Sequence, residues 1–250
     1  VASMGSAIVR TGVSIVLVML MDNKLMGRTI GYFLPVSLLN FAFWIYIMYK
    51  GRKISWNCIK YACKISIPLI PHDLAGILLG SVDKIMITNY CGSEENALYS
   101  VAYTISMLAY VVQTSMNQAW TPWLFDKFHE KDEKEIRKNS NIYMGVYAVI
   151  ILGVFLVAPE VIYVLGGKAY YSAKYAMPPI ILGCAYQFFY TFYVNIEIFK
   201  KRTFTISIGT VAAALLNIFL NWLLIPKFGY LAAAYTTMIG YLALLGFHYW

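Results

Sequence analysis

Residues 204–224, with the sequence FTISIGTVAAALLNIFLNWLL, form a stretch of 21 residues without a charged side chain. An α-helix rises about 1.5 Å per residue, so roughly 20 apolar residues are enough to cross the hydrocarbon core of a bilayer. Over the whole chain 60% of the residues are hydrophobic and only 13% are charged. A soluble domain carries about 25% charged residues, so this composition argues against a soluble enzyme. It predicts instead that most of the chain lies in lipid.

Similar apolar stretches recur along the chain, and eight of them reach the length of a membrane-spanning helix. They are residues 2–21, 30–49, 65–87, 97–123, 141–164, 176–199, 204–224 and 231–250. We therefore predict an all-α fold, a polytopic membrane bundle of about eight transmembrane helices joined by short loops. Because the sequence begins with Val1 inside an apolar stretch, we also expect a fragment that lacks an upstream part.

The basic residues predict how this bundle is oriented. Short cytoplasmic loops keep an excess of Lys and Arg. Residues 50–64, 126–138 and 200–202 contain five, five and three of the 20 basic residues, whereas the alternate loops contain five in all. These three segments are therefore predicted to be cytoplasmic. The net charge of +8 is spread between the apolar stretches instead of covering one face, so nucleic acid is not an expected partner.

No pattern typical of catalysis or of metal binding occurs in the sequence. The four cysteines form no CxxC pair, the three histidines are scattered, and HExxH, GxSxG, Walker and GxGxxG patterns are absent. We predict that the protein is not an enzyme and that it has no metal site and no cofactor.

The third apolar stretch concentrates prolines and ionisable residues. They are Pro68, Pro71, His72, Asp73, Asp83 and Lys84. The two prolines remove backbone donors and predict a helix break near the cytoplasmic end. An ionisable residue inside a span costs at least about 2.5 kcal/mol, so the other four are candidates for a polar stripe that faces a lumen. The alternative is an internal Asp83, with Lys84 extending to the outer interface.

Further polar candidates occur in other stretches. They are Arg10 in the first, Gln113, Asn117 and Gln118 in the fourth, and Tyr190 and Glu197 in the sixth. The amides either line a polar path or join neighbouring helices. The tyrosine either packs in the core or stacks on a sugar ring. The arginine either binds phosphate or lies nearer the cytoplasmic interface.

Three segments together resemble one family. They are residues 68–84, which begin PLIPH and end SVDK, residues 117–122, NQAWTP, and residues 224–229, LIPKFG. In this order and spacing they are similar to polysaccharide biosynthesis flippases, the Wzx-like transporters of the multidrug/oligosaccharidyl-lipid/polysaccharide exporter superfamily. The similarity extends over nearly the whole chain.

The resemblance implies a fold of two six-helix lobes around a central cavity. Residues 1–49 would then be the last two helices of the first lobe, 50–64 the cytoplasmic linker and 65–250 the second lobe. It also implies a location in the inner, cytoplasmic membrane of the cell.

The function implied by the resemblance is flipping of undecaprenyl-pyrophosphate-linked oligosaccharides by alternating access, for O-antigen, capsule or exopolysaccharide synthesis. The partners would be the lipid-linked oligosaccharide, membrane lipid, and the polymerase and glycosyltransferases of the same pathway. Asp73, Asp83 or Glu197 would couple transport to a proton or a sodium ion. The alternatives are a MATE-type drug or cation antiporter and a lipid II flippase. A membrane glycosyl polymerase or ligase, from a different class, would be expected to need a sizeable external loop.

Overall fold

A computed structural model describes residues 2–51 and 55–249, and within these ranges the chain is helical without any strand. One short 3-10 helix spans Lys168–Tyr175. The α-helices are α1 (Ala2–Leu20), α2 (Lys24–Gly51), α3 (Trp56–Ser66), α4 (Leu69–Cys91), α5 (Ser93–Glu130), α6 (Glu133–Gly166), α7 (Met177–Phe199), α8 (Thr203–Phe228) and α9 (Tyr230–Tyr249). Arg52 and Lys53, two of the predicted cytoplasmic basic residues, and Trp250 lie outside the described residues.

The predicted all-α membrane bundle is confirmed, with one difference in the number of clear spans. The eight predicted stretches lie mainly in helix, with a break at Ile67 and Pro68 inside the third. Only six helical segments of the described chain are both long and apolar enough to cross a membrane. They are Lys24–Gly51, Trp56–Cys91, Ser93–Glu130, Glu133–Val164, Thr203–Phe228 and Tyr230–Tyr249. The apolar part of α1 is shorter than a span, Ile8–Leu20. In α7 the tyrosines, amides and Glu197 lower the mean hydropathy.

Helix α8 illustrates how these helices distribute polar and apolar residues. Leu215 and Trp222 are 62% and 60% exposed on its outer side, whereas Asn217 and Asn221 are fully buried on the inner side. A helix of a soluble protein shows the reverse pattern, with polar side chains exposed and apolar side chains buried. The arrangement in α8 is the one expected in lipid, where polar side chains must find partners within the protein.

The chain divides after Lys60 into two compact units, Val1–Lys60 and Tyr61–Trp250. The division falls inside the segment predicted as an inter-lobe linker, and the assignment of the units to lobes stays a prediction. In the first unit α1 packs closely on α2. A Cβ atom added at Gly31 would lie 2.4 Å from the Cα of Ser14, so glycine is required for this approach.

The second unit contains two clusters of buried apolar residues at different levels of the bundle. One includes Ile87, Tyr99 and Ile162, near the end where α4 is joined to α5. The other includes Ile206 and Leu244, toward the opposite end. Members of the second cluster, such as Leu244, also line the cavity that forms the candidate site.

The helix break predicted in the third stretch falls at Ile67 and Pro68, between α3 and α4. The carbonyl of Pro68 accepts a hydrogen bond from the Ser207 hydroxyl of α8. Pro71 lies in the first turn of α4, where a missing N–H costs little because that group has no partner within the helix. The interruption therefore begins α4 beside α8, with His72 and Asp73 in its first two turns.

Candidate functional site

A cavity of about 560 Å³ lies inside the second unit, between α4, α5, α7, α8 and α9. Most of the side chains that line it are polar, and they come from all five helices. The polar lining consists of His72, Asp73, Tyr103, Tyr110, Gln113, Thr114, Asn117, Gln118, Gln187, Tyr190, Thr191, Thr210 and Tyr241. A polar cavity enclosed by helices with apolar outer faces is the main candidate for a functional site in this unit.

Helical spacing explains how α5 and α7 contribute to this lining. On α5 the lining residues recur every three or four positions, from Tyr103 through Tyr110 to Asn117. On α7 the same spacing brings Gln187 and Tyr190 to the cavity. Residues three or four apart lie on one face of a helix, so each helix presents a polar face to the same space.

The predicted amides of α5 both line the cavity and join neighbouring helices. Gln113 donates from Nε2 to the Thr191 hydroxyl of α7 at 3.1 Å. Asn195 of α7 donates from Nδ2 to Oδ1 of Asn117 at 2.8 Å. The Oε1 atom of Gln113 is buried and has no hydrogen-bond partner among the described residues. The amides thus hold α5 against α7 while leaving an acceptor free.

His72 and Asp73 bring the ionisable part of the lining from α4. The Nδ1 atom of His72 lies 2.7 Å from the Thr210 hydroxyl of α8. Asp73 is exposed in the cavity and has no ion pair in the part of the chain that the structure describes. Among the described residues that line the cavity, Asp73 is the one with a carboxylate.

Asp83 lies near the other end of α4, outside the cavity lining, and is fully buried. Its Oδ2 atom accepts hydrogen bonds from the Tyr99 hydroxyl at 2.6 Å and from the Thr237 hydroxyl at 2.5 Å. Its Oδ1 atom accepts from the amide of Asn221 at 2.6 Å. Asn217 joins this network through Asn221, at 3.1 Å. Among the described residues no basic side chain pairs with Asp83, so neutral donors alone stabilise its carboxylate.

Lys84 also lies outside the cavity lining, although its neighbour Tyr103 belongs to it. The Lys84 ammonium lies 4.4 Å from the centre of the Tyr103 ring, a cation–π contact. The structure thus separates the predicted polar stripe of α4. His72 and Asp73 line the cavity. The Asp83 side chain accepts hydrogen bonds from α5, α8 and α9, and Lys84 contacts α5.

Glu197 and Tyr190, the candidates on α7, meet at His248 of α9. The Oε1 atom of Glu197 lies 3.1 Å from Nδ1 of His248, whose ring centre is 5.2 Å from that of Tyr190. Glu197 does not line the cavity, whereas Tyr190 does. Glu197 thus contacts the lining indirectly, through His248.

Arg10 belongs to the first unit, where it contacts α2. Its Nη1 atom donates to the Tyr32 hydroxyl at 3.1 Å, and its guanidinium carbon lies 4.9 Å from the centre of the Tyr32 ring. The Nε atom is buried without a partner within the described ranges. The guanidinium of Arg10 therefore makes only part of its possible hydrogen bonds within the described part of the first unit.

Four of the tyrosine and glutamine side chains in the lining were not predicted from the sequence. They are Tyr103, Tyr110, Gln187 and Tyr241. Composition carries a signal that would have found one of them, because the chain contains three glutamines and all three line this cavity. Glutamine at the depth of a membrane is costly unless it faces protein or water.

Comparison with known proteins agrees with this architecture, which is that of a multi-pass membrane protein. Residues 1–128 match the family described as "Polysaccharide biosynthesis protein". The chain belongs to this family. Among curated proteins, none matches the chain.

Two solved structures have the same fold over the full length of the chain. One is titled "Crystal structure of MATE in complex with MaL6", with a TM-score of 0.75 and 14% sequence identity. The other is a crystal structure of a MATE protein with a single proline-to-alanine substitution, with a TM-score of 0.71 and 15% identity. Both alignments cover 100% of this chain and 61% of the other. The chain thus shares its fold with these two MATE proteins.

Proposed function

We propose that the protein flips undecaprenyl-pyrophosphate-linked oligosaccharides across the cytoplasmic membrane by alternating access, for the synthesis of O-antigen, capsule or exopolysaccharide. The observation that carries this proposal is the cavity of about 560 Å³, which is lined by amides and hydroxyl groups inside an apolar bundle. The family to which the chain belongs supports polysaccharide synthesis as the setting. The protein acts as a transporter and not as an enzyme, because flipping breaks no bond.

The physical requirement for flipping explains why such a cavity is needed. A sugar that leaves water loses its hydrogen bonds, and an unpaired hydroxyl in an apolar medium costs roughly 2–7 kcal/mol. Gln118 and Gln187 each offer donors and acceptors that replace those of water. The lipid tail needs no such replacement, because it stays in the bilayer while the headgroup crosses through the protein.

Coupling to a proton or a sodium ion is part of the proposal, and Asp83 is the best candidate for it. Asp73 is exposed in the cavity and Glu197 pairs with His248, whereas Asp83 is buried among neutral groups. Either a proton or a small cation would neutralise its charge. The hydroxyl groups of Tyr99 and Thr237, which donate to it, can rotate and offer lone pairs to a cation instead.

A drug or cation antiporter is a second candidate, favoured by one observation. Asp73 places a single carboxylate among aromatic side chains in the cavity, and no Lys or Arg lies in the described lining. A cationic drug would find both a counter-charge and aromatic faces there. The same experiment that tests flipping can distinguish the two functions.

The test uses the full-length protein in proteoliposomes that contain a lipid-linked oligosaccharide, with a lectin to detect glycans on the outer leaflet. We expect lectin-accessible glycan to increase with the protein and to stay constant in empty liposomes. Uptake of a cationic dye without any glycan movement would favour the antiporter and reject the proposal. In cells, lipid II accumulation on depletion would identify a lipid II flippase instead. A sodium or pH gradient should accelerate flipping by the wild type but not by an Asp83→Asn variant.

A further inference from the structure

We infer that the cavity of the second unit binds the uncharged sugar residues of the transported glycan, disfavours acidic sugars and does not hold the pyrophosphate. This inference rests on the proposed function and specifies which part of the substrate this unit recognises. Three independent properties of the lining support it: its charge, its free hydrogen-bonding groups and its tyrosines.

The first property is the charge of the lining. No Lys or Arg occurs among the described residues that line the cavity, and its ionisable members include one carboxylate, Asp73, and one imidazole, His72. Proteins bind phosphate oxygens with Arg, Lys or helix N-termini, which offer charged or clustered donors. The nearby ammonium of Lys84 is engaged with the Tyr103 ring. A pyrophosphate or a uronic acid would therefore meet Asp73 without a compensating Lys or Arg.

The second property is unused hydrogen-bonding capacity. Gln118 and Gln187 make no side-chain hydrogen bond to any other described residue. A sugar hydroxyl both donates and accepts, and an amide side chain does the same. Gln118 and Gln187, which are not buried, thus match a neutral polyhydroxylated ligand.

The third property is the aromatic part of the lining. Tyr103, Tyr110, Tyr190 and Tyr241 contribute to it from three helices, α5, α7 and α9. A tyrosine combines a flat apolar face with a polar hydroxyl. The C–H face of a pyranose ring packs against such a face, while its equatorial hydroxyls extend toward amides at the ring edge. Tyrosines close to amides are the surroundings that a neutral pyranose needs.

The volume of the cavity agrees with a short glycan. Small-molecule sites enclose about 300–1,000 Å³, and this cavity, at about 560 Å³, lies inside that range. A few sugar rings fill such a space. The charge of the lining, and not this volume, argues that the pyrophosphate lies outside this unit's cavity.

Binding measurements on the full-length protein in nanodiscs test the inference with three probes of defined charge. The probes are an N-acetylglucosamine trimer, a galacturonic acid trimer and undecaprenyl pyrophosphate without sugar. We expect the neutral trimer to bind about tenfold more tightly than the acidic one, as one unfavourable charge contact of about 1.4 kcal/mol would give. Equal affinity, or tighter binding of the acidic trimer, would overturn the inference.

Variants assign the binding to this cavity. Gln118→Leu and Gln187→Leu should each weaken the neutral trimer about five- to tenfold through one lost hydrogen bond. Both should leave undecaprenyl pyrophosphate binding unchanged. Asp73→Arg should improve binding of the acidic trimer. The matched control is Asn141→Leu, because Asn141 is an exposed amide on α6 outside the lining. A trimer affinity unaffected by either glutamine change, with correctly folded protein, would reject the site.

The two proposals fail in different ways. Normal flipping of a lipid-linked neutral glycan without any trimer preference would reject the inference and keep the proposed function. The predicted trimer preference in a protein that flips no glycan would reject the function and keep the sugar site.

Discussion

The carboxylate of Asp83 on α4 accepts a hydrogen bond of 2.6 Å from the side-chain amide of Asn221 on α8, although 138 positions separate the two residues. The bond joins α4, which begins just after the proline break, to α8, which lies near the end of the chain. Tyr99 and Thr237 complete the set of donors from α5 and α9. One buried side chain therefore holds four helices of the second unit together.

The first prediction concerns this network. Asp83→Ala should lower the thermal stability of the purified protein strongly, because three buried donors lose their acceptor. Each buried donor without a partner costs about 1–3 kcal/mol of folding free energy. Asp83→Asn retains an acceptor oxygen and should destabilise the protein less. The measurement is fluorescence-detected thermal unfolding in detergent. Asp126→Asn, at an exposed position of α5, is the control. If the alanine and asparagine variants unfolded at the same temperature as the wild type, the prediction that this network stabilises the protein would be wrong.

The second prediction concerns the contact between α1 and α2. Gly31→Ala should destabilise the first unit by about 1–3 kcal/mol, because the new Cβ would meet the Ser14 backbone and push the helices apart. Gly12→Ala is the matched control, since an added Cβ there has nothing within 4 Å. Alanine favours helix over glycine, so the control should be neutral or slightly stabilising. The comparison is made by protease resistance of the α1–α2 segment in membranes, and equal resistance of both variants would contradict the prediction.

The third prediction concerns the turn between α8 and α9. Gly229 has φ of 66°, and a Cβ atom there would lie 2.6 Å from Oε2 of Glu95. The same carboxylate oxygen accepts the backbone N–H of Tyr230 at 3.0 Å, at the start of α9. Gly229→Ala should therefore combine backbone strain of about 1–2 kcal/mol with loss of this helix cap.

A second glycine separates these two effects. Gly92→Ala introduces strain alone, since φ is 94° and its added Cβ meets nothing within 4 Å. Thermal unfolding should show a larger loss for Gly229→Ala than for Gly92→Ala. Glu95→Gln, which keeps an acceptor, should lose less stability than Glu95→Ala.

The fourth prediction concerns Arg10, whose Nε atom is buried without a partner among the residues described. If Arg10 contacts the phosphates of the substrate, Arg10→Gln should reduce flipping at least about tenfold, because a charge-assisted hydrogen bond contributes about 1.5–3 kcal/mol. Arg28→Gln is the control, because Arg28 is exposed on α2. The readout is glycan flipping in proteoliposomes at equal protein abundance. Full activity of the Arg10 variant would remove this residue from the substrate path.

The sequence alone predicted the fold well, because the length of an apolar run sets whether a helix can cross a bilayer. The eight predicted stretches lie mainly in helix, and the break at Ile67 and Pro68 inside the third follows from the chemistry of proline. The number of clear spans differs because hydropathy does not separate a helix that faces a polar cavity from one that faces water. Helix α7 is such a case.

The candidate site was harder to predict, because pairing between distant helices is not visible in a single sequence. Asp73 and Asp83 look equivalent on α4, yet one lines the cavity and the other is buried against α8 and α9. The amides of α5 were identified because membrane depth makes amides conspicuous. Tyr103 and Tyr110 were not, because tyrosine is also common on lipid-facing and core surfaces.

The distance in sequence between Asp83 and its partners has a consequence for biogenesis. Asn221 and Thr237 are synthesised 138 and 154 residues after Asp83. At about 5–20 residues per second, that delay is on the order of ten seconds. During this time the carboxylate of Asp83 has its early donor, Tyr99 on α5, but lacks the two donors that α8 and α9 supply. A nascent chain that stops before α8 would leave that carboxylate without the donors of Asn221 and Thr237.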